Sequence, residues 1–101
     1  MGLGIALDEL LATGWSGLDS TGCAFDVDGR VYPTPARVQQ EFAQAGFSLA
    51  VQKIDKYNCF RASWREVGQA TDAGAVVSHS EPEAAVYALA QFRRGLVAAE
   101  V

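Results

Sequence analysis

Residues 47 to 67 read FSLAVQKIDKYNCFRASWREV, and along them apolar and polar side chains alternate with the period of a strand. Two strands are expected, SLAVQKI and CFRASWREV, joined by a turn at Asp55-Lys56-Tyr57-Asn58 where polar residues cluster. In the second strand Phe60, Ala62 and Trp64 share one face and Arg61, Ser63 and Arg65 the other, because successive side chains point to opposite sides of a sheet. One face is therefore core, and the other meets water. The polar segment GQATDAG at 68–74 supplies the next turn, and AVVSH a third strand with Val77 expected to point inward.

Helix signals bracket these strands. Upstream, Thr34 is placed to cap a helix opened by Pro35, whose missing N–H costs nothing at that position; Val38, Phe42 and Ala45 face one way, and Gly46 ends the run. Downstream, Ser80-Glu81-Pro82-Glu83 spells a capping box in which Ser80 accepts from the Glu83 amide and the Glu83 carboxylate reaches back to Ser80. The helix that follows carries a stripe of Ala85, Leu89, Phe92 and Leu96, with Gly95 expected to stop it after Arg94.

The front of the chain adds smaller elements. Leu3, Leu7, Leu10 and Leu11 fall on one side of an amphipathic helix over 3–13, closed by Gly14. The loop GWSGLDSTG follows, with Trp15 and Leu18 available to pin it. In CAFDVDGRVYP the Asp28-Gly29 pair reads as a two-residue hairpin loop. A calcium loop is excluded there, because Arg30 stands where an oxygen ligand belongs and Arg37 occupies the closing glutamate position. The fold class is thus α+β: a two-layer sandwich in which helices pack on one face of a three-stranded antiparallel sheet, plus an N-terminal helix and a small hairpin. At 101 residues the chain is one domain, with residues 1–33 holding the helix, loop and hairpin, and 34–97 the core.

Composition narrows the function classes. Half the residues are hydrophobic and the net charge is −4, the balance of a folded domain and not of a protein built to neutralise many phosphates. Charge is unevenly spread: residues 1–29 sum to −5, residues 30–65 to +4, and residues 66–101 to −3. Acidic front and basic middle can complement one another inside the domain, or the middle can serve an anionic partner. No apolar run approaches the roughly 20 residues of a membrane span and no basic-flanked leader precedes Leu3, so the cytoplasm is the expected compartment. Cys23 and Cys59 show no metal-binding spacing; free thiols are expected, with a single bridge between them as the alternative.

Catalytic motifs are missing from the sequence. The one histidine, His79, stands at a strand-to-helix junction, and no Walker loop, GxGxxG, HExxH or GxSxG accompanies it. The expectation is a protein that is not an enzyme and uses neither metal nor cofactor.

From Pro35 to Leu96 the order helix, strand, strand, strand, helix, closing on the alanine-rich SHSEPEAAVYALAQF, resembles the double-stranded-RNA-binding domain. The resemblance implies two helices on one face of the sheet. Its RNA contacts do not transfer: the helix start that presents lysines in that family holds Glu81, Pro82 and Glu83 here, and the first strand turn carries no histidine. A likeness of scaffold without those contacts implies a module for binding protein. Its binding residues are expected to be Arg61 and Arg65 on the open face, with Lys53 beside them on the neighbouring strand and Tyr57 near the turn, meeting an acidic protein or a second copy. Two alternatives remain, a nucleic-acid binder using the same residues with Tyr57 stacking a base, and a mobile-element inhibitor of a host nuclease. The reading requires that both guanidinium groups reach solvent unengaged.

Overall fold

The structure, a computed structural model, describes residues 2–100, with side chains through residue 95. Eight regular elements follow one another: α1 (Gly2–Ala12), β1 (Cys23–Phe25), β2 (Val31–Pro33), α2 (Pro35–Gln44), β3 (Phe47–Ile54), β4 (Cys59–Glu66), β5 (Gly74–Ser78) and α3 (Glu81–Glu100). β3, β4 and β5 form an antiparallel sheet in that order, and β1 and β2 a separate hairpin. The expected fold class is the one observed. Among these residues no helix is long and apolar enough to cross a membrane.

Register decides which side chains meet. Leu49 lies opposite Trp64, Val51 opposite Ala62, and Ala62 in turn opposite Val76, so these residues form one apolar face. α2 and α3 cover that face. Phe42 from α2 sits between Trp64 and Phe92, with ring centroids 5.6 and 4.6 Å away, and Phe47 meets Phe92 at 4.8 Å. Such tilted aromatic pairs add to the stabilisation that burial of their area already gives. The alanines of α3, from Ala84 to Ala90, are fully buried, which lets its backbone lie close to both the sheet and α1. α1 packs on α3 through Ala6, Leu7 and Leu10, on the helical side of the sheet.

Local signals explain most of the boundaries. The Thr34 hydroxyl accepts from Arg37 N at 3.4 Å to cap α2, and Gly46 beyond its end takes φ +85°. Gly14, at φ +90°, closes α1. Between β3 and β4 a short 3₁₀ turn at Asp55–Tyr57 ends on left-handed Asn58 (φ 49°), a conformation asparagine tolerates better than most residues.

Several expectations need correction, among them Leu11 and Ala45, which are exposed and do not face the core. Val76, not Val77, points inward: Val77 pairs with Arg61 on the open face and is 58% exposed, because Gly74 and not Ala75 faces Trp64 and sets the alternation. Gly95 does not stop α3, since it lacks the positive φ of a terminating glycine and the run beyond it offers no turn residue. Leu96 of the expected stripe lies outside the side chains described. The capping box is half formed: Glu83 N donates to Ser80 Oγ at 3.3 Å, while the Glu83 carboxylate lies buried against Gly2 at the start of α1. That position favours an acid, because the first turn of a helix leaves its N–H groups without backbone partners. The hairpin loop has three residues, Val27, Asp28 and Gly29, with only Gly29 at positive φ (+80°); the Asp26 carboxylate accepts from the amides of Asp28 and Arg30, both at 2.9 Å, and holds the wider turn. Finally, Leu18 does not pin its loop and is almost wholly exposed, whereas Trp15 is buried and donates Nε1–H to Glu41 Oε2 at 3.1 Å.

A candidate binding face on the open side of the sheet

Alternation places Ser48, Ala50 and Gln52 of β3, Arg61, Ser63 and Arg65 of β4, and Ala75 and Val77 of β5 on the side of the sheet opposite the helices. α1 leaves this side uncovered because it docks on α3. The central strand carries both arginines, four residues and therefore roughly 13 Å apart along the strand. Ala50, Ser63 and Ala75, in the row between them, are small, so the middle of the face is accessible.

The arginines are not unengaged, contrary to the sequence expectation. Asp72, in the connection between β4 and β5, lies 3.5 Å from Arg61 Nη2 through Oδ2 and 3.1 Å from Arg65 Nη2 through Oδ1. The second contact is an ion pair without hydrogen-bond geometry, which leaves a buried carboxylate oxygen short of a donor. Arg65 also donates from Nη1 to Ala70 O at 3.4 Å. Two cations thus share one anion, and the trio carries a net charge of +1. Their side chains remain 40% and 49% exposed, and a guanidinium offers five N–H donors, so each arginine keeps donors for a second acceptor. Asp72 escaped the sequence reading, since an acid in a polar turn gives no sign of the side chains it will meet.

Lys53 stands apart from this pair. Register sets it opposite Phe60, on the helix-covered side, and its Nζ lies 3.8 Å from Asp55 Oδ1 at the end of the sheet. One residue of offset is enough to transfer a strand side chain to the other face. Tyr57 is exposed at the same end, as expected, and Lys56 Nζ lies 5.5 Å from its ring centroid. A cation already occupies one face of that ring.

The remaining chemistry-bearing residues do not assemble. Ser78, His79 and Glu83 border one open cleft of about 480 Å³ with Cys59 and Tyr87, yet no hydrogen bond links the serine, the histidine and the glutamate. Cys23 and Cys59 are both free thiols, which resolves the two alternatives left by the sequence. Burial pushes the Cys23 thiol up from its ordinary value, away from the thiolate.

Comparison with protein-family models, with curated proteins and with solved structures returned no match, so the geometry above carries the functional reading.

Proposed function

We propose that this chain is a protein-interaction module without catalytic activity, whose open sheet face receives an acidic segment of a partner. Asp72 engages both arginines, so the requirement of unengaged guanidinium groups is not met; the reading rests instead on both staying half exposed on an uncovered face, with N–H donors left for a second acceptor. Asp72 holds the guanidinium groups in place, which lowers the ordering cost of binding a second carboxylate. Ala50, Ser63 and Ala75 let a partner's backbone approach, and Val77 adds an apolar contact at the edge. The resemblance to the double-stranded-RNA-binding domain favours a recognition scaffold, while Glu81, Pro82 and Glu83 stand where phosphate-binding lysines would be needed.

Self-association through the same face is disfavoured, because a two-fold axis would bring one arginine pair towards another. Nucleic acid is the second reading. Against it stand the net charge of −4, the acids Glu81 and Glu83 where phosphate-binding lysines would be needed, and the lysine that already lies over Tyr57. A gel shift with single- and double-stranded nucleic acid at two salt concentrations separates the readings: the module is expected to give no salt-sensitive shift. Capture of an acidic partner that disappears with Arg61→Glu and Arg65→Glu together, the fold being kept, is the positive result. Salt-sensitive binding to nucleic acid through those arginines would replace this reading by the second.

A further inference from the structure

A groove of about 600 Å³ lies between α1 and the β1–β2 hairpin. Its apolar side chains are out of place for a free surface: Ile5 is 50% exposed, Phe25 70% and Val27, in the hairpin loop, fully exposed. Isolated exposed apolar residues need no explanation, but three converging on one groove mark an interaction site. Loop positions of such hairpins ordinarily hold Gly, Asn or Asp, so Val27 is not there for the turn.

The groove is held in shape before anything binds. Arg30 donates to Asp8, to Asp26 Oδ2 at 3.3 Å and to Gly4 O at 3.3 Å, tying the hairpin to α1. Asp8 and Asp28 lie on the rim, Asp26 is held inside the hairpin turn with its side chain only 6% exposed, and Arg30 is the one cation lining the groove, so the lining sums to −2. Arg30 is already committed to two of those acids, so the uncompensated charge facing a ligand is negative.

We infer that this groove docks a segment of a partner protein in which an apolar side chain is flanked by lysine or arginine. The apolar residue sits against Phe25, Val27 and Ile5, and the flanking cations meet Asp8 and Asp28. This surface is independent of the open sheet face and opposite to it in charge, so the two do not compete for one kind of ligand.

The test uses the full chain and two fluorescent twelve-residue probe peptides, one alternating leucine with lysine and one alternating leucine with glutamate. The lysine peptide is expected to bind, and Phe25→Ser with Val27→Ser to weaken it at least tenfold without any change in charge. Asp28→Lys is expected to weaken it further at low salt than at high salt. Both sites are exposed, so circular dichroism of the variants should match the wild type. Equal binding by the wild type and the Phe25→Ser, Val27→Ser variant overturns the inference, as does equal binding of the two peptides. A dimer in sedimentation that becomes monomeric in that variant also overturns it, because the occupant is then a second copy of this chain.

Discussion

Gly74→Ala sets two well-understood effects against one another, and the structure predicts the winner. Gly74 is not among the positive-φ glycines, so alanine can adopt its backbone conformation. On that ground alone the change would stabilise by about 0.4–1 kcal/mol, through lost freedom of the unfolded chain. Packing opposes it. A β-carbon at Gly74 would fall on the Trp64 indole, 2.7 Å from Cε2, 3.0 Å from Cη2 and closer still to Cζ2. The ring has little room to yield, because Phe42 packs against it and Phe92 backs Phe42. Overpacking costs about 1–3 kcal/mol, and so close an approach to a ring held on its other side belongs in the upper half of that range, about 2–3, so the net loss should be about 1–2.5 kcal/mol, or roughly 4–20 °C in Tm for a domain of this size. Urea denaturation followed by tryptophan fluorescence and far-ultraviolet circular dichroism measures it. Repeating Gly74→Ala in a Trp64→Leu background should abolish most of the penalty. Gly95→Ala is the control: it lies in α3 with nothing near its missing β-carbon, and it should stabilise by about 0.5–1 kcal/mol. A Gly74→Ala protein as stable as the wild type would refute the placement of the Trp64 ring.

Other outcomes follow from the same contacts. Trp64→Ala empties the space between Phe42 and the sheet and should cost about 3–5 kcal/mol in denaturant unfolding; tolerance would mean that the inner and outer faces of β4 are exchanged. Arg61→Glu with Arg65→Glu should leave the circular dichroism spectrum unchanged while removing partner capture, and loss of fold would show that these arginines hold the β4–β5 connection through Asp72 instead of serving a ligand. The Asp26 carboxyl is held below its ordinary value, chiefly by the Arg30 backbone amide and then by the Asp28 amide and the Arg30 charge. Its stabilising effect on the hairpin is therefore complete above the unfolded value of about 4 and lost as pH falls through the lower folded value. Protection of the Arg30 amide from exchange, taken relative to the intrinsic rate at each pH, should fall below about pH 4, and Asp26→Asn should make that protection nearly independent of pH in the same range.

Strand alternation in CFRASWRE was legible because its period is two and its aromatics and cations fall on alternate residues. The same rule misplaced Val77 and Lys53, where a strand's start had to be known to within one residue. GAVV, the body of β5, is apolar throughout and carries no alternation to fix that start; only the Trp64–Gly74 pairing does. For Lys53 the phase is set by Leu49 and Val51 facing the helices, which puts a lysine at the end of the inner row. Local caps at Thr34, Gly14 and Gly46 were readable because each depends on a few neighbouring residues. The Glu83 carboxylate was not, since α1, which it meets, is distant in sequence.

By itself the sequence determined the kinds of element, their order, and a β4 with one apolar and one cationic face, because these depend on interactions within a few residues. Tertiary structure alone decided that Asp72 joins Arg61 to Arg65 and that α1 docks on α3 and leaves the sheet open. It also decided that Ile5, Phe25 and Val27 gather around one groove. Each of these depends on which distant segments come within a few ångströms of one another, and no local periodicity encodes that distance.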